Sequence, residues 1–280
     1  MPEGKGKKHC IEADSARVRD IQGRDPGGRG EKLVRTVVAK LGGSVITDKS
    51  KPFSYRPDVV SALSEEIASS DQKVVVVHGG GSFGHVVAKQ HGISSEPAEA
   101  PAVGVAQTRG AMYELDRMVC KTMMEYKLNP YPFSPFDAVS RAGRAPLAGW
   151  LRGLLKEGLT PVTFGDVMLA PSGFKVISGD VITQELAKAL EPERCVFALD
   201  VDGVYEGNSR VIIPELSPSK IKRMTVPSGD DATGGMKLKL DAAARIASGG
   251  TKVCFVSGYR RNEFSKALRG LDFYGTVVRP

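Results

Sequence analysis

Four consecutive valines, Val74–Val77, stand inside the run Lys73–His78 and are followed at once by three glycines, Gly79–Gly81. An amphipathic helix would place apolar residues every three or four positions, and a half-exposed strand would alternate them with polar ones. A run with no polar side on either face predicts a strand buried on both, as inside a parallel sheet covered by helices. Parallel neighbours need crossover connections, so helices are expected before and after it. The rest of the chain follows that rhythm. Strands expected at Leu33–Lys40, Cys195–Leu199, Lys252–Val256 and Gly275–Val278 alternate with helices expected over Pro57–Ser70, Val103–Lys127, Trp150–Glu157, Val181–Leu190, Met236–Ala247 and Asn262–Leu268. The apolar segment Thr160–Ala170 and the short strand Phe174–Ile177, bounded by Gly, Pro and Ser, predict a hairpin. This alternation predicts an α/β fold, a three-layer α/β/α sandwich on a mostly parallel central sheet. The helix over 103–127 carries Val105, Met112, Leu115, Val119 and Met123 at helical spacing, a stripe for core or dimer packing or, in part, the wall of a pocket for an apolar substrate tail.

Residues 1–32 are rich in glycine and charge and lack periodicity, which predicts a flexible extension ahead of the fold. Nine Lys/Arg against six Asp/Glu in the first 36 residues hold part of the net charge of +7. A modest positive balance suits an anionic small-molecule substrate. No basic stripe interleaved with aromatics is present, so nucleic acid is not an expected partner. Cys10, Cys120, Cys195 and Cys254 are scattered without a CxxC pair, as reduced thiols of a cytoplasmic protein would be. No apolar run approaches the roughly 20 residues that span a bilayer, and no apolar core follows the first positive charges, so neither membrane insertion nor a secretory signal is expected.

Glycine-rich segments fall where a parallel sheet presents ligands, at strand ends and helix starts. Lys40-Leu41-Gly42-Gly43-Ser44 follows the first strand; two glycines let a backbone approach a phosphate, and Lys40 and Lys49 would supply charge. In His78-Gly79-Gly80-Gly81-Ser82-Phe83-Gly84-His85, Gly79, Gly81 and Gly84 match a dinucleotide fingerprint in form. That fingerprint requires a further strand ending in an acid about 20 residues on. Ser94–Ala102 with its prolines offers none, which argues against a nicotinamide-dependent oxidoreductase. Three glycines opening a helix still form an anion cradle, and His85 beyond it can donate to a phosphate oxygen. His78 is expected to pack at the strand end. In Ser178-Gly179-Asp180 the aspartate either caps a helix or holds two lysines. Asp200-Val201-Asp202-Gly203-Val204-Tyr205 ends a strand in a turn, and Thr233-Gly234-Gly235-Met236-Lys237 opens a helix with its own cation. No GxxxxGK[ST] pattern occurs, which excludes a P-loop kinase at the motif level.

The ordered set KLGGSVITDK, HGGGSFGH, SGD, DVDGVY and TGGMKLK resembles the amino acid kinase superfamily, and within it closely resembles the isopentenyl phosphate kinases, from about Val34 to Val278. The histidine ending HGGGSFGH marks the subgroup. The resemblance implies an open, mostly parallel eight-stranded sheet, a homodimer, an N-terminal lobe (33–190) for the phosphate acceptor and a C-terminal lobe (191–280) for ATP. It implies an ATP- and Mg2+-dependent transfer to isopentenyl phosphate, with a fosfomycin-kinase-like or other small-molecule kinase as the alternative. By the same resemblance, Lys40 and Lys49 lie near the transferring phosphoryl group and Lys237 approaches from the nucleotide side. Gly42, Gly43, Gly79 and Gly80 supply backbone N–H groups to the phosphates, Gly84 belongs to the substrate site, His85 binds the acceptor's phosphate, and Asp180 organises the lysines. Asp200, Asp202, Gly203, Tyr205, Gly234 and Gly235 belong to the nucleotide site, and Mg2+ is held by the ATP phosphates rather than by a protein ligand.

Overall fold

The computed structural model describes residues 36–135, 144–207, 209–224 and 235–280. The expected extension at 1–32 and Gly234 lie outside the described residues. In chain order the strands are β1 (Thr36–Leu41), β2 (Lys73–His78), β3 (Pro130–Pro132), β4 (Thr160–Phe164), β5 (Asp166–Ala170), β6 (Gly173–Ile177), β7 (Arg194–Leu199), β8 (Glu215–Leu216), β9 (Lys252–Ser257) and β10 (Gly275–Val278). The helices are α1 (Gly43–Ile46), α2 (Pro57–Ala68), α3 (Gly81–Gln90), α4 (Ala102–Glu125), α5 (Arg144–Lys156), α6 (Gly179–Leu190), α7 (Pro218–Arg223), α8 (Gly235–Ser248) and α9 (Glu263–Arg269).

Eight strands form one sheet in the order β3-β4-β2-β1-β7-β9-β10-β8, parallel except where β10 runs antiparallel to β9. The valine run is its interior, and its side chains part alternately between two cores. Val75 and Val77 join Val38, Phe197 and Phe255 beneath α5, α6 and α8. Val74 and Val76 join Val37, Ala39, Val196 and Val256 beneath α2, α3, α4 and α9. Period-two alternation thus feeds two apolar faces, which is why neither face could be polar. Leu115, Val119 and Met123 of the α4 stripe are fully buried in the second core, the packing role expected of them. Val105 packs elsewhere, against the small cluster of Ala88, Ile93 and Val167.

Two details depart from expectation. The segment Thr160–Ala170 is not one element: β4 joins the main sheet and β5 pairs with β6 in a separate two-stranded hairpin. Gly165 makes the break, since a Cβ there would stand 2.9 Å from both the Gly179 nitrogen and the Ile177 oxygen. Strand β3, with prolines at 130 and 132, was not expected; it is the sheet's edge, where a missing N–H costs no ladder bond.

From β1 the chain builds outward through β2 on one side and later lays β7 against the other. The carboxyl ends of strands diverge at such a reversal and leave a crevice. Leu41, His78 and Leu199 end the three strands concerned, so the first and second glycine-rich segments and the Asp200–Tyr205 turn leave the sheet there.

Candidate active site

The two glycine loops after β1 and β2 touch backbone to backbone. A Cβ on Gly79 would lie 2.6 Å from the Gly43 nitrogen, and one on Gly42 would lie 2.7 Å from the Ala198 oxygen. The contact uses two of the donors expected to face phosphate. The Gly42 N–H donates to Ala198 O (3.1 Å) and the Gly79 N–H to Leu41 O (3.0 Å). Of the four glycines expected to line the phosphates with N–H groups, Gly43 and Gly80 are therefore the ones with no backbone acceptor among the described residues. Gly81 adopts φ +47°, and Thr47 fills the space a side chain there would need. The Thr47 hydroxyl donates to Gly43 O (2.7 Å) and accepts from the Ser82 N–H (2.9 Å), which stitches the loops together. Gly84, one turn along α3, lets the thioether of Met112 rest on the helix backbone.

Above this floor, the Lys40 Nζ pairs with Asp180 Oδ1 at 2.8 Å, and the Lys239 Nζ lies 3.9 Å from Asp180 Oδ2. Lys40 is 3% exposed and Asp180 7%. Burial alone would push the Asp180 carboxyl up, yet the ammonium groups of Lys40 and Lys239 outweigh it and hold the group below its usual range. Burial, then the neighbouring Lys40, holds Lys239 below an ordinary lysine. The question left open by Ser178-Gly179-Asp180 is answered: the Ser178 hydroxyl caps α6 by accepting from the Val181 N–H (3.3 Å), and Asp180 is free to face the lysines.

His85, half-buried on α3, has its pKa lowered to about 4, first by burial and then by the charges of Lys40, Lys49 and Lys239. It is therefore neutral at pH 7, with one ring N–H to donate. Four expected residues, Lys40, Lys49, His85 and Asp180, fall within one electrostatic neighbourhood. Lys49 sits in an exposed turn between α1 and α2. The Tyr259 hydroxyl, beyond β9, donates to Ser44 O (3.0 Å) and accepts from Arg56 Nη1 (2.7 Å).

The expectation for Lys237 needs correction. Lys237 is exposed near the start of α8, whereas Lys239 reaches Asp180 and also donates to Gly235 O (3.2 Å). Residues four apart share a helix face and residues two apart do not, so a helix opening at Gly235 aims 239 where 235 points and turns 237 away. The spacing from the helix start carried that signal.

Among the residues expected at the nucleotide site, Asp200 directly follows β7, exposed, and its charge acts on Lys239. Asp202 is engaged by Arg260 through two bonds of 2.6 and 3.0 Å, and the guanidinium lies over the Tyr274 ring at 4.7 Å. Gly203 is buried against the Thr276 hydroxyl, and Tyr205 makes a bridge to Ile212. These three shape the turn and do not contact the lysine cluster. His78 packs as expected, fully buried, with Nε2 3.2 Å from Asp116 Oδ1 and its ring stacked on Phe164. No group of three or more His, Cys, Asp or Glu is placed to hold a metal among the described residues.

Three comparisons bear on this arrangement. The profile of the amino acid kinase family matches residues 35–257. Isopentenyl phosphate kinase of Methanothermobacter thermautotrophicus is 30% identical over 86% of this chain and 98% of its own length. That of Thermoplasma acidophilum is 29% identical over 87% of this chain and all of its own. The product complex of the T. acidophilum enzyme superposes with a TM-score of 0.71 at 26% identity, over 87% of this chain and 100% of that one. A substrate complex of an isopentenyl phosphate kinase superposes with a TM-score of 0.72 over 88% and 100% of the two chains, also at 26% identity.

Proposed function

The chain belongs to the amino acid kinase family, and we propose that it transfers the γ-phosphoryl group of ATP to isopentenyl phosphate, giving isopentenyl diphosphate and ADP. One observation carries the reading: a buried Lys40–Asp180–Lys239 cluster, with a neutral histidine beside it, stands at the sheet's crevice over two glycine loops. Such a cluster concentrates positive charge where two anions must meet. An acceptor phosphate oxygen bonds to the γ-phosphorus while the bond from that phosphorus to the β,γ-bridging oxygen breaks, and ADP keeps the electron pair. The acceptor is already ionised at neutral pH, so no general base is needed; the requirement is alignment and charge neutralisation.

In this assignment Lys40 and Lys49 approach the transferring group from the acceptor side and Lys239 from the nucleotide side. The N–H groups of Gly43 and Gly80 cradle phosphate oxygens, and the His85 N–H grips the acceptor's phosphate. Asp180 holds two ammonium groups close together without removing their charge. Mg2+ fits as a partner of the nucleotide phosphates, since Asp180 and Asp202 are occupied by cations and, of the acids expected at the site, Asp200 is the one left exposed among the described residues. When bound, the ion neutralises charge on the β- and γ-phosphates. The reading further makes the protein a cytoplasmic homodimer; the three described cysteines are unpaired and buried, as in a reducing compartment.

The test is a panel of acceptors offered with Mg-ATP: isopentenyl phosphate, fosfomycin, acetylglutamate and uridylate. Turnover of isopentenyl phosphate at least 100-fold above the others supports the assignment. Preference for any of the other three replaces it.

A further inference from the structure

His78 ends β2 fully buried, directly before the second glycine loop. Lys40 stands beside Val77 in the sheet and turns to Asp180 on α6; His78, one residue further, turns to Asp116 on α4. The two polar contacts therefore flank the carboxyl ends of the strands on opposite faces of the sheet, and the His78 ring does not enter the lysine cluster. As core filling alone a histidine is a poor choice, since an apolar side chain of similar volume leaves no polar atom to satisfy.

Both ring nitrogens are engaged. Nδ1 stands 3.2 Å from Gly79 O and Nε2 3.2 Å from Asp116 Oδ1. Asp116 is 4% exposed and also accepts from the Cys120 thiol at 3.8 Å. The ring is stacked on Phe164, which meets Tyr113 edge-on, so its plane is fixed from both sides. A carbonyl oxygen only accepts, so the Gly79 contact requires a hydrogen on Nδ1. Asp116 is compatible with that at Nε2 in two ways, by accepting a second ring hydrogen or by offering a carboxyl proton to the nitrogen lone pair.

The carbonyl so held belongs to the same peptide unit as the Gly80 N–H. In a planar trans peptide the C=O and the N–H point in opposite directions. Gly79 is already tied at its other end, where its N–H donates to Leu41 O at 3.0 Å. With no Cβ on either glycine, the peptide between them would otherwise turn with little resistance. Holding Gly79 O against the ring thus aims the Gly80 N–H away from it, and that N–H is one of the two loop donors with no backbone acceptor among the described residues.

We propose that His78, with Asp116 behind it, is a positioning residue for the transfer: through Gly79 O it sets the direction of the Gly80 N–H that a phosphate oxygen accepts from. The inference rests on the function proposed above, in which Gly80 is one of the phosphate donors. His78 touches neither substrate; its effect passes through one peptide plane, the preorganised kind of donor that favours a transition state over a ground state.

The experiment compares His78→Asn with His78→Gln in the full chain. The Asn amide reaches where Nδ1 stands and can still donate to Gly79 O; the Gln amide reaches where Nε2 stands and keeps only the Asp116 contact. His78→Gln is expected to lower kcat/KM for the acceptor by roughly 30-fold or more, His78→Asn to stay within about fivefold of the parent, and both to keep the parent's calorimetric affinity for ADP, which lacks the γ-phosphate. A merely structural role would instead lower kcat/KM in step with the melting temperature. Equal activity of the two variants, or a larger loss in His78→Asn, overturns the inference. If neither folds by thermal melting, Asp116→Asn and Asp116→Leu decide: the amide can donate to Nε2 and keep the hydrogen on Nδ1, leucine cannot, and equal kcat/KM in these two overturns the inference as well. Failure of isopentenyl phosphate as acceptor is a separate result. It removes the proposed function, and the comparison then runs with whichever acceptor of the panel is turned over or, with none, on calorimetric affinity for pyrophosphate.

Discussion

The Nζ of Lys40, on the central strand, and Oδ1 of Asp180, in the first turn of α6, stand 2.8 Å apart and almost wholly buried. This contact fixes one wall of the crevice, and Lys239 leans on the other oxygen of the same carboxylate. Removing one partner of a buried pair strands the other charge, which typically costs about 3–5 kcal/mol. Asp180→Asn would leave two ammonium groups with no counter-charge. It is expected to lower unfolding free energy by about 3 kcal/mol and to reduce kcat as the lysines drift apart. Urea denaturation and steady-state kinetics read the two effects.

The helical face of α8 gives a sharper test of the site. Lys239→Met is expected to lower kcat by roughly 100-fold or more, the usual scale for one charged donor aimed at a transition state. Lys237→Met, on the exposed face, should stay within about threefold of the parent enzyme. Equal losses in both variants would place Lys237 in the site after all.

His85 couples the site to pH. Its folded pKa is depressed to about 4 from an ordinary value near 6.5. Between these values the unfolded chain binds the proton and the folded one does not, so stability rises with pH through that window and is lost as pH falls toward 4. His85→Ala should flatten this slope of stability between pH 6.5 and 4. The same variant should lower kcat/KM for the acceptor by roughly 100-fold while ATP affinity holds. Unchanged turnover would remove His85 from acceptor binding.

Gly81 is the position where the loop floor is least forgiving. A side chain there would need φ +47° and would press on Thr47 and on the Gly43 oxygen at 2.6 Å. Gly81→Ala is expected to destabilise the protein by about 2 kcal/mol or more, and to impair phosphate binding, because both loops must shift. Thermal melting with and without nucleotide distinguishes a folding loss from a binding loss.

Metal removal should separate chemistry from folding. With Mg2+ held by the nucleotide rather than by protein carboxylates, EDTA is expected to abolish turnover and leave the melting temperature of the nucleotide-free protein unchanged. A drop in that temperature would reveal a protein-bound structural metal.

The order of elements and the glycine-rich turns at the ends of strands were determined by the sequence alone, since both are local. An unbroken valine run has one comfortable environment, and glycines at strand ends mark turns whatever the distant chain does. β2 falls on its expected span, and Lys40, His85 and Asp180 stand in one electrostatic neighbourhood. Tertiary structure decided what depends on neighbours far away in the chain. Which glycine N–H groups stay available was settled by Ala198 and Leu41, which accept two of them. Whether Asp180 capped a helix or held lysines depended on Ser178 taking the cap and on β1 and α8 arriving beside it. Lys239 prevailed over Lys237 because α8 begins at Gly235 and presents one face to the crevice. A motif lists side chains in order; only the crossovers of the sheet bring their charges within a few ångströms, where Coulomb attraction and desolvation become large enough to select among them.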